Sequence, residues 1–169
     1  MLKLFGVVFV IVGCGSMGFR IAANYKQEEK CLRQLIRILD YMEWELKYRL
    51  TPLPDLCRQV AAVFKDVTGD LFEKFACKME LQISTDLYQC MTNVVNCDSK
   101  LPNITKSEMV LLGKSIGRFD LEGQLKGIES VRQDCKRNLE MLSNNRDHRL
   151  RSYQTLGLCA GAALAILLI

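Results

Sequence analysis

Two uncharged stretches at opposite ends of the chain restrict its architecture more than any other feature. Leu4 to Phe19 carries no charged residue, nor does Ser152 to Ile169, whereas all 19 acidic residues fall between Glu28 and Asp147. At about 1.5 Å rise per residue, an 18-residue helix covers about 27 Å, close to the roughly 30 Å hydrocarbon core of a bilayer. The C-terminal stretch is therefore expected to span a membrane as a helix over 152–169, and the N-terminal stretch over 1–23. Gly157 and Gly161, in "TLGLCAGAALAILLI", have the small-xxx-small spacing at which membrane helices pack closely, which leaves association between copies of the chain open.

The N-terminal stretch also has the form of a secretory signal, and Ile11-Val12-Gly13-Cys14 fits the small-residue-then-Cys pattern of a lipoprotein cleavage site. Charge placement favours an uncleaved anchor. Arg20, Lys26, Lys30, Arg33 and Arg37 follow the first apolar segment, and Lys136, Arg137, Arg146, Arg149 and Arg151 precede the second. Basic flanks stay on the cytoplasmic side, so residues 24–151 are expected in the cytoplasm and both termini across the membrane. The alternative is an exported lipoprotein or a membrane-anchored helical binding protein facing the envelope.

Within 24–151 the punctuation is helical. Leu32, Leu35, Ile36, Leu39, Met42, Leu46 and Leu50 recur at three and four residues, predicting a helix from about Tyr25 to Leu50. Thr51-Pro52 has the form of a helix start, Thr51 as N-cap and Pro52 at the first helical position. The second helix would turn Leu53, Leu56, Cys57, Val60, Val63 and Phe64 inward. A third is expected from Thr68 with Leu71, Phe72, Phe75 and Met79 inward, and a fourth from near Ser84 with Leu87, Cys90, Met91, Val94 and Val95 inward. Thr105-Lys106-Ser107-Glu108 fits a capping box and opens a fifth helix over 105–118. A sixth starts at Leu121 and continues into the C-terminal span. With no convincing period-two alternation, the predicted class is all-α: a six-helix cytoplasmic bundle flanked by an N-terminal and a C-terminal transmembrane helix.

Chemistry is sparse in this pattern. The middle carries 21 basic and 19 acidic residues, too even a balance for a nucleic-acid surface. The lone His148 has no nucleophile or carboxylate pair around it, and the eight cysteines include no C-x-x-C pair. They read as small buried hydrophobes in a reducing compartment. No catalytic residue, metal site or cofactor is expected. Gly113-Lys114-Ser115 ends like a phosphate loop, but the position of that loop's first Gly is held by Glu108 and the triplet lies inside a helix, so nucleotide binding is not expected. The same letters make a helix-to-helix corner. Gly117 suits a C-terminal cap and Asp120 an N-cap, Glu122 sits where the helix dipole favours an acid, and Gly113 and Gly123 would allow close backbone approach. Glu122 and Gln124 are freer to meet a partner. Trp44, off the apolar stripe, is a second candidate contact.

"LGKSIGRFDLEGQ" resembles the L-G-x-x-L-G-x-x-D-x-x-x-Q signature of the stage III sporulation protein AB family, with Ile116 in place of the second Leu. "YRLTPLPD" resembles that family's T-P-L segment, and the terminal "LGLCAGAALAILLI" and the chain length match it as well. The resemblance implies a non-enzymatic membrane protein of endospore formers, in the mother-cell membrane around the forespore, working with the other stage III sporulation A membrane subunits in a secretion-like channel complex. The family is similar to the inner-membrane platform protein of type II secretion and type IV pilus systems. That likeness implies a scaffold whose partner is a cytoplasmic ATPase, stage III sporulation protein AA, with Gly113, Gly117, Asp120, Glu122 and Gln124 as the motif corner that would face it.

Overall fold

In a computed structural model of the chain, the backbone is described for 2–81, 86–116 and 120–168, and side chains for 23–81, 86–116 and 120–144. Six helices and no strand occur among the described residues: α1 (Leu2–Tyr48), α2 (Leu53–Val63), α3 (Val67–Glu80), α4 (Leu87–Asn96), α5 (Asn103–Ser115) and α6 (Leu121–Leu168). No proline occurs before Pro52 or after Pro102, so nothing in the sequence breaks the two long helices. The N-terminal apolar stretch and the first bundle helix are accordingly one element, as are the sixth helix and the C-terminal stretch. Among the described residues no helix is long and apolar enough to cross a membrane; the side chains of both apolar stretches lie outside those residues.

The chain divides into two compact units, Met1–Glu29 with Glu140–Ile169, and Lys30–Leu139. The second holds the core. Leu32, Leu35, Ile38, Leu39 and Met42 of α1 are fully buried, with Leu56, Cys57 and Val60 of α2, Leu71, Phe72 and Phe75 of α3, Met91 of α4, Met109 and Leu112 of α5, and Ile128, Val131 and Cys135 of α6. Their three-and-four spacing puts one apolar stripe of each helix inside. α2 packs on α3, α3 on α4 and α4 on α5.

The helix starts differ from expectation in an instructive way. α3 begins at Val67 because Asp66 Oδ1 accepts from the Thr68 and Gly69 amides, at 3.1 and 2.9 Å. α4 begins at Leu87 behind Asp86, whose Oδ1 accepts from the Tyr88 amide at 3.0 Å; Ser84 lies outside the described residues. α2 begins at Leu53, so Pro52 is the residue before the helix and Thr51 does not cap it. The Thr51 hydroxyl instead donates to Glu45 Oε2 at 3.1 Å. The capping box at Thr105 is also replaced. α5 starts two residues earlier, behind Pro102, which leaves Thr105 and Glu108 facing the interior. Two sites of the expected apolar stripes are also on the outside, Leu50 and Val63.

Candidate interaction surfaces

The α5–α6 corner is the part of the predicted site that the fold brings together. Asp120 Oδ1 accepts from the Gly123 amide at 3.1 Å, and the Asp120 carbonyl accepts from the Gln124 amide at 2.9 Å, so Asp120 sits at the head of α6. Glu122 is exposed and pairs with Lys126 one turn on, at 2.6 Å; Gln124 is half-buried. Gly117 lies outside the described residues, as do the side-chain surroundings of Gly157, Gly161 and His148. Lys114 and Ser115 are on α5, and the Ser115 hydroxyl donates to the Leu111 carbonyl of its own helix at 3.1 Å.

Gly113 serves a different contact from the one expected. A Cβ built there would lie 2.6 Å from Met91 Cβ and 3.4 Å from the Leu87 carbonyl, so this glycine lets α5 close on α4, not on α6. The close α5–α6 approach falls to Gly127, where a Cβ would meet Ser115 Cβ at 2.5 Å. Gly127 follows no cap rule, and only its spacing of four from Gly123 marks it in the sequence.

A buried polar seam lies further along the same pair of helices, away from that corner. Glu108 on α5 is buried, and its Oε1 accepts from Asn138 Nδ2 of α6 at 2.9 Å. Glu108 Oε2 and the Thr105 hydroxyl are enclosed without a hydrogen-bond partner. Burial, then the Asp134 charge, raises the Glu108 carboxyl above its ordinary range, while the Asn138 hydrogen bond and Arg137 act against the rise. Burial likewise pushes the Cys135 thiol up to about 12 and holds the Cys57 thiol high, so both stay protonated and unreactive. Of the six cysteines with described side chains, Cys31, Cys57, Cys90 and Cys135 are buried, and Cys77 and Cys97 are exposed. Among the described residues no three His, Cys, Asp or Glu side chains stand close enough to hold a metal ion.

Two arrangements had no clear signal in the sequence. Arg132 of α6 gathers three carboxylates: its Nη1 donates to Asp40 at 2.6 Å and Glu43 at 2.7 Å of α1, and its Nη2 to Glu129. Glu45, almost fully buried, takes the Thr51 hydroxyl and the Arg49 guanidinium, the latter at 3.4 Å. It thereby fixes the turn between α1 and α2, where Leu50 has φ 51°.

Comparisons with known proteins decide the family of this helical bundle. A family model described as stage III sporulation protein AB matches residues 3–169. The chain belongs to the stage III sporulation protein AB family. Stage III sporulation protein AB of Bacillus subtilis (strain 168) is 28% identical over 174 residues, covering 99% of this chain and 99% of that protein. A solved structure of stage III sporulation protein AB superposes with a TM-score of 0.61 over 72% of this chain and 98% of that chain, at 20% identity. At that identity the likeness speaks to the fold, and it extends the helical bundle to the family. The names of these relatives state a sporulation stage and no enzymatic activity.

Proposed function

We propose that this member of the family is a non-enzymatic platform of a mother cell to forespore channel complex, coupling a cytoplasmic ATPase to an envelope assembly. Family membership along residues 3–169 carries the reading. The apolar stretch at 152–169 is long enough to cross a bilayer, the N-terminal span over 1–23 would cross with its apolar centre at 4–19, and the basic residues flanking them would keep 24–151 in the cytoplasm and both termini across the mother-cell membrane. The partners are the membrane, the stage III sporulation A membrane subunits and the ATPase stage III sporulation protein AA. Glu122 and Gln124, at an exposed acidic corner capped by Asp120, offer the ATPase a docking surface that is fixed to a rigid helix start.

Capture of the purified ATPase by the detergent-solubilised full chain tests this. Wild type should retain the ATPase, and Glu122→Lys together with Gln124→Ala should weaken capture by roughly tenfold, about 1.4 kcal/mol. Undiminished capture by the folded double variant would remove the corner from the reading.

A further inference from the structure

One surface of the Lys30–Leu139 unit is left unexplained by its own packing. Trp44 is 48% exposed and Tyr48 66% exposed, with ring centroids 5.8 Å apart. The Arg49 guanidinium lies 5.2 Å from the Trp44 centroid, and the Lys47 ammonium 5.7 Å from that of Tyr48. Leu50 follows, 66% exposed and in the left-handed region, a conformation that costs an L-residue about 1–2 kcal/mol. The buried Glu45 holds this turn in place through Thr51 and Arg49. Two adjacent rings and a strained leucine kept in solvent have the composition of a contact surface.

Its electrostatics define the occupant. Of the nearby carboxylates, Asp40 and Glu43 are engaged with Arg132 and Glu45 within the fold, while Asp55 is exposed on the first turn of α2. What the Trp44–Leu50 segment itself turns outward is apolar and cationic, so it fits an apolar side chain flanked by carboxylates. The chain presents that combination at the head of α6, where Leu121 is 39% exposed between the exposed Asp120 and Glu122. Val63 and Leu81 lack it, since Lys65 follows Val63 closely and Glu80, beside Leu81, is tied to Arg58; Met141, with the exposed Glu140 on one side only, offers half of it. The Glu122–Lys126 pair is highly exposed, worth at most about 1 kcal/mol, and can exchange partners.

The two surfaces also lie toward the same end of the unit. Five short connections join the six helices, and helices joined by short loops run antiparallel to their neighbours, so α1 and α6 run in opposite directions. Arg132 meets Asp40 and Glu43 midway. Moving on from that contact along α1 leads to Trp44–Leu50, and moving back along α6 leads to Asp120–Glu122. Copies standing side by side therefore bring the rings and cations of one to the level of the carboxylates of the next.

We propose that the chain self-associates through this pair of surfaces, the Trp44–Tyr48–Arg49–Leu50 face of one copy taking the Asp120–Leu121–Glu122 corner of a second. The inference rests on the reading of that corner as a contact surface. Trp44 is the only tryptophan, which makes it a reporter: raising the concentration of the full chain in detergent should shift its emission to the blue as sedimentation shows association. Trp44→Ala, Arg49→Glu and Glu122→Arg should each weaken association by at least roughly tenfold. Mixing the Arg49→Glu and Glu122→Arg chains should restore it, because each junction then joins opposite charges. A wild type that stays monomeric, or variants that associate like wild type, would overturn the proposal. ATPase capture separates it from the function above. A second copy and the ATPase would compete for the one corner, so Trp44→Ala, freed of self-association, should capture the ATPase at least as well as wild type, whereas Glu122→Lys should lose both.

Discussion

At the scale of single residues, Glu108 stands out as a buried carboxyl with one oxygen enclosed without a hydrogen-bond partner and a pKa raised by burial. A carboxyl with a raised folded-state pKa binds more protons folded than unfolded in the window between its ordinary value and the raised one. Its ionisation therefore subtracts stability as pH rises through that window, and below the ordinary carboxyl range the penalty is absent. Glu108→Gln keeps an acceptor for Asn138 and removes the charge. The variant should unfold at a higher temperature than wild type at pH 8, and the gap should narrow as pH falls towards 4, measured by circular dichroism. A gap that is constant with pH would mean that the carboxyl titrates alike in the folded and unfolded chain, so that burial does not raise it. Glu45, as deeply buried, has donors on both carboxylate oxygens, the Thr51 hydroxyl and the Arg49 guanidinium.

At the scale of elements, the sequence made the inner stripes legible and the ends less so. Stripes follow from helical period alone, which is why Leu56, Phe72, Val94 and Leu112 lie inside as expected. Starts depend on competition among nearby hydroxyls and carboxylates. Asp66 captures the Thr68 and Gly69 amides, and buried Glu45 draws Thr51 away from α2, and neither outcome is encoded in one position. The corner motif was visible as letters, whereas the partner helix of its glycine depended on the packing of α4. That packing gives a prediction. Gly113→Ala sets a methyl about 2.6 Å from Met91 Cβ, so α4 and α5 must separate, and stability should fall by about 1–3 kcal/mol in chemical denaturation. The obstacle is backbone-proximal, and Met91→Ala alone leaves its Cβ in place. The double variant should therefore regain less than half of the loss, whereas Met91→Gly on the Gly113→Ala background should regain most of the steric part.

At the scale of the whole molecule, the question is which compartment the Lys30–Leu139 unit occupies, because an ATPase can reach it only in the cytoplasm. The chain carries its own probes. Cys77, in the last turns of α3, and Cys97, just past α4, are exposed, whereas Cys31, Cys57, Cys90 and Cys135 are buried, two of them with thiols held far above the reactive range. Cys14 and Cys159 lie in the apolar stretches and can be replaced by alanine, leaving Cys77 and Cys97 as the accessible thiols of the natively folded unit. A membrane-impermeant maleimide should leave that variant unlabelled in intact cells and label it in permeabilised ones, if basic residues such as Arg33, Arg37, Lys136 and Arg137 hold the unit inside. Labelling before permeabilisation would place the bundle on the envelope side and favour the exported lipoprotein. The two topologies also differ in the mass of the amino terminus, since cleavage before Cys14 removes the first thirteen residues and leaves a lipid-modified Cys14, whereas an uncleaved anchor keeps Met1 or Leu2 at its start. Protected thiols together with an intact amino terminus are the expected pair of results, because the same charge asymmetry that retains the bundle also retains the helix that precedes it.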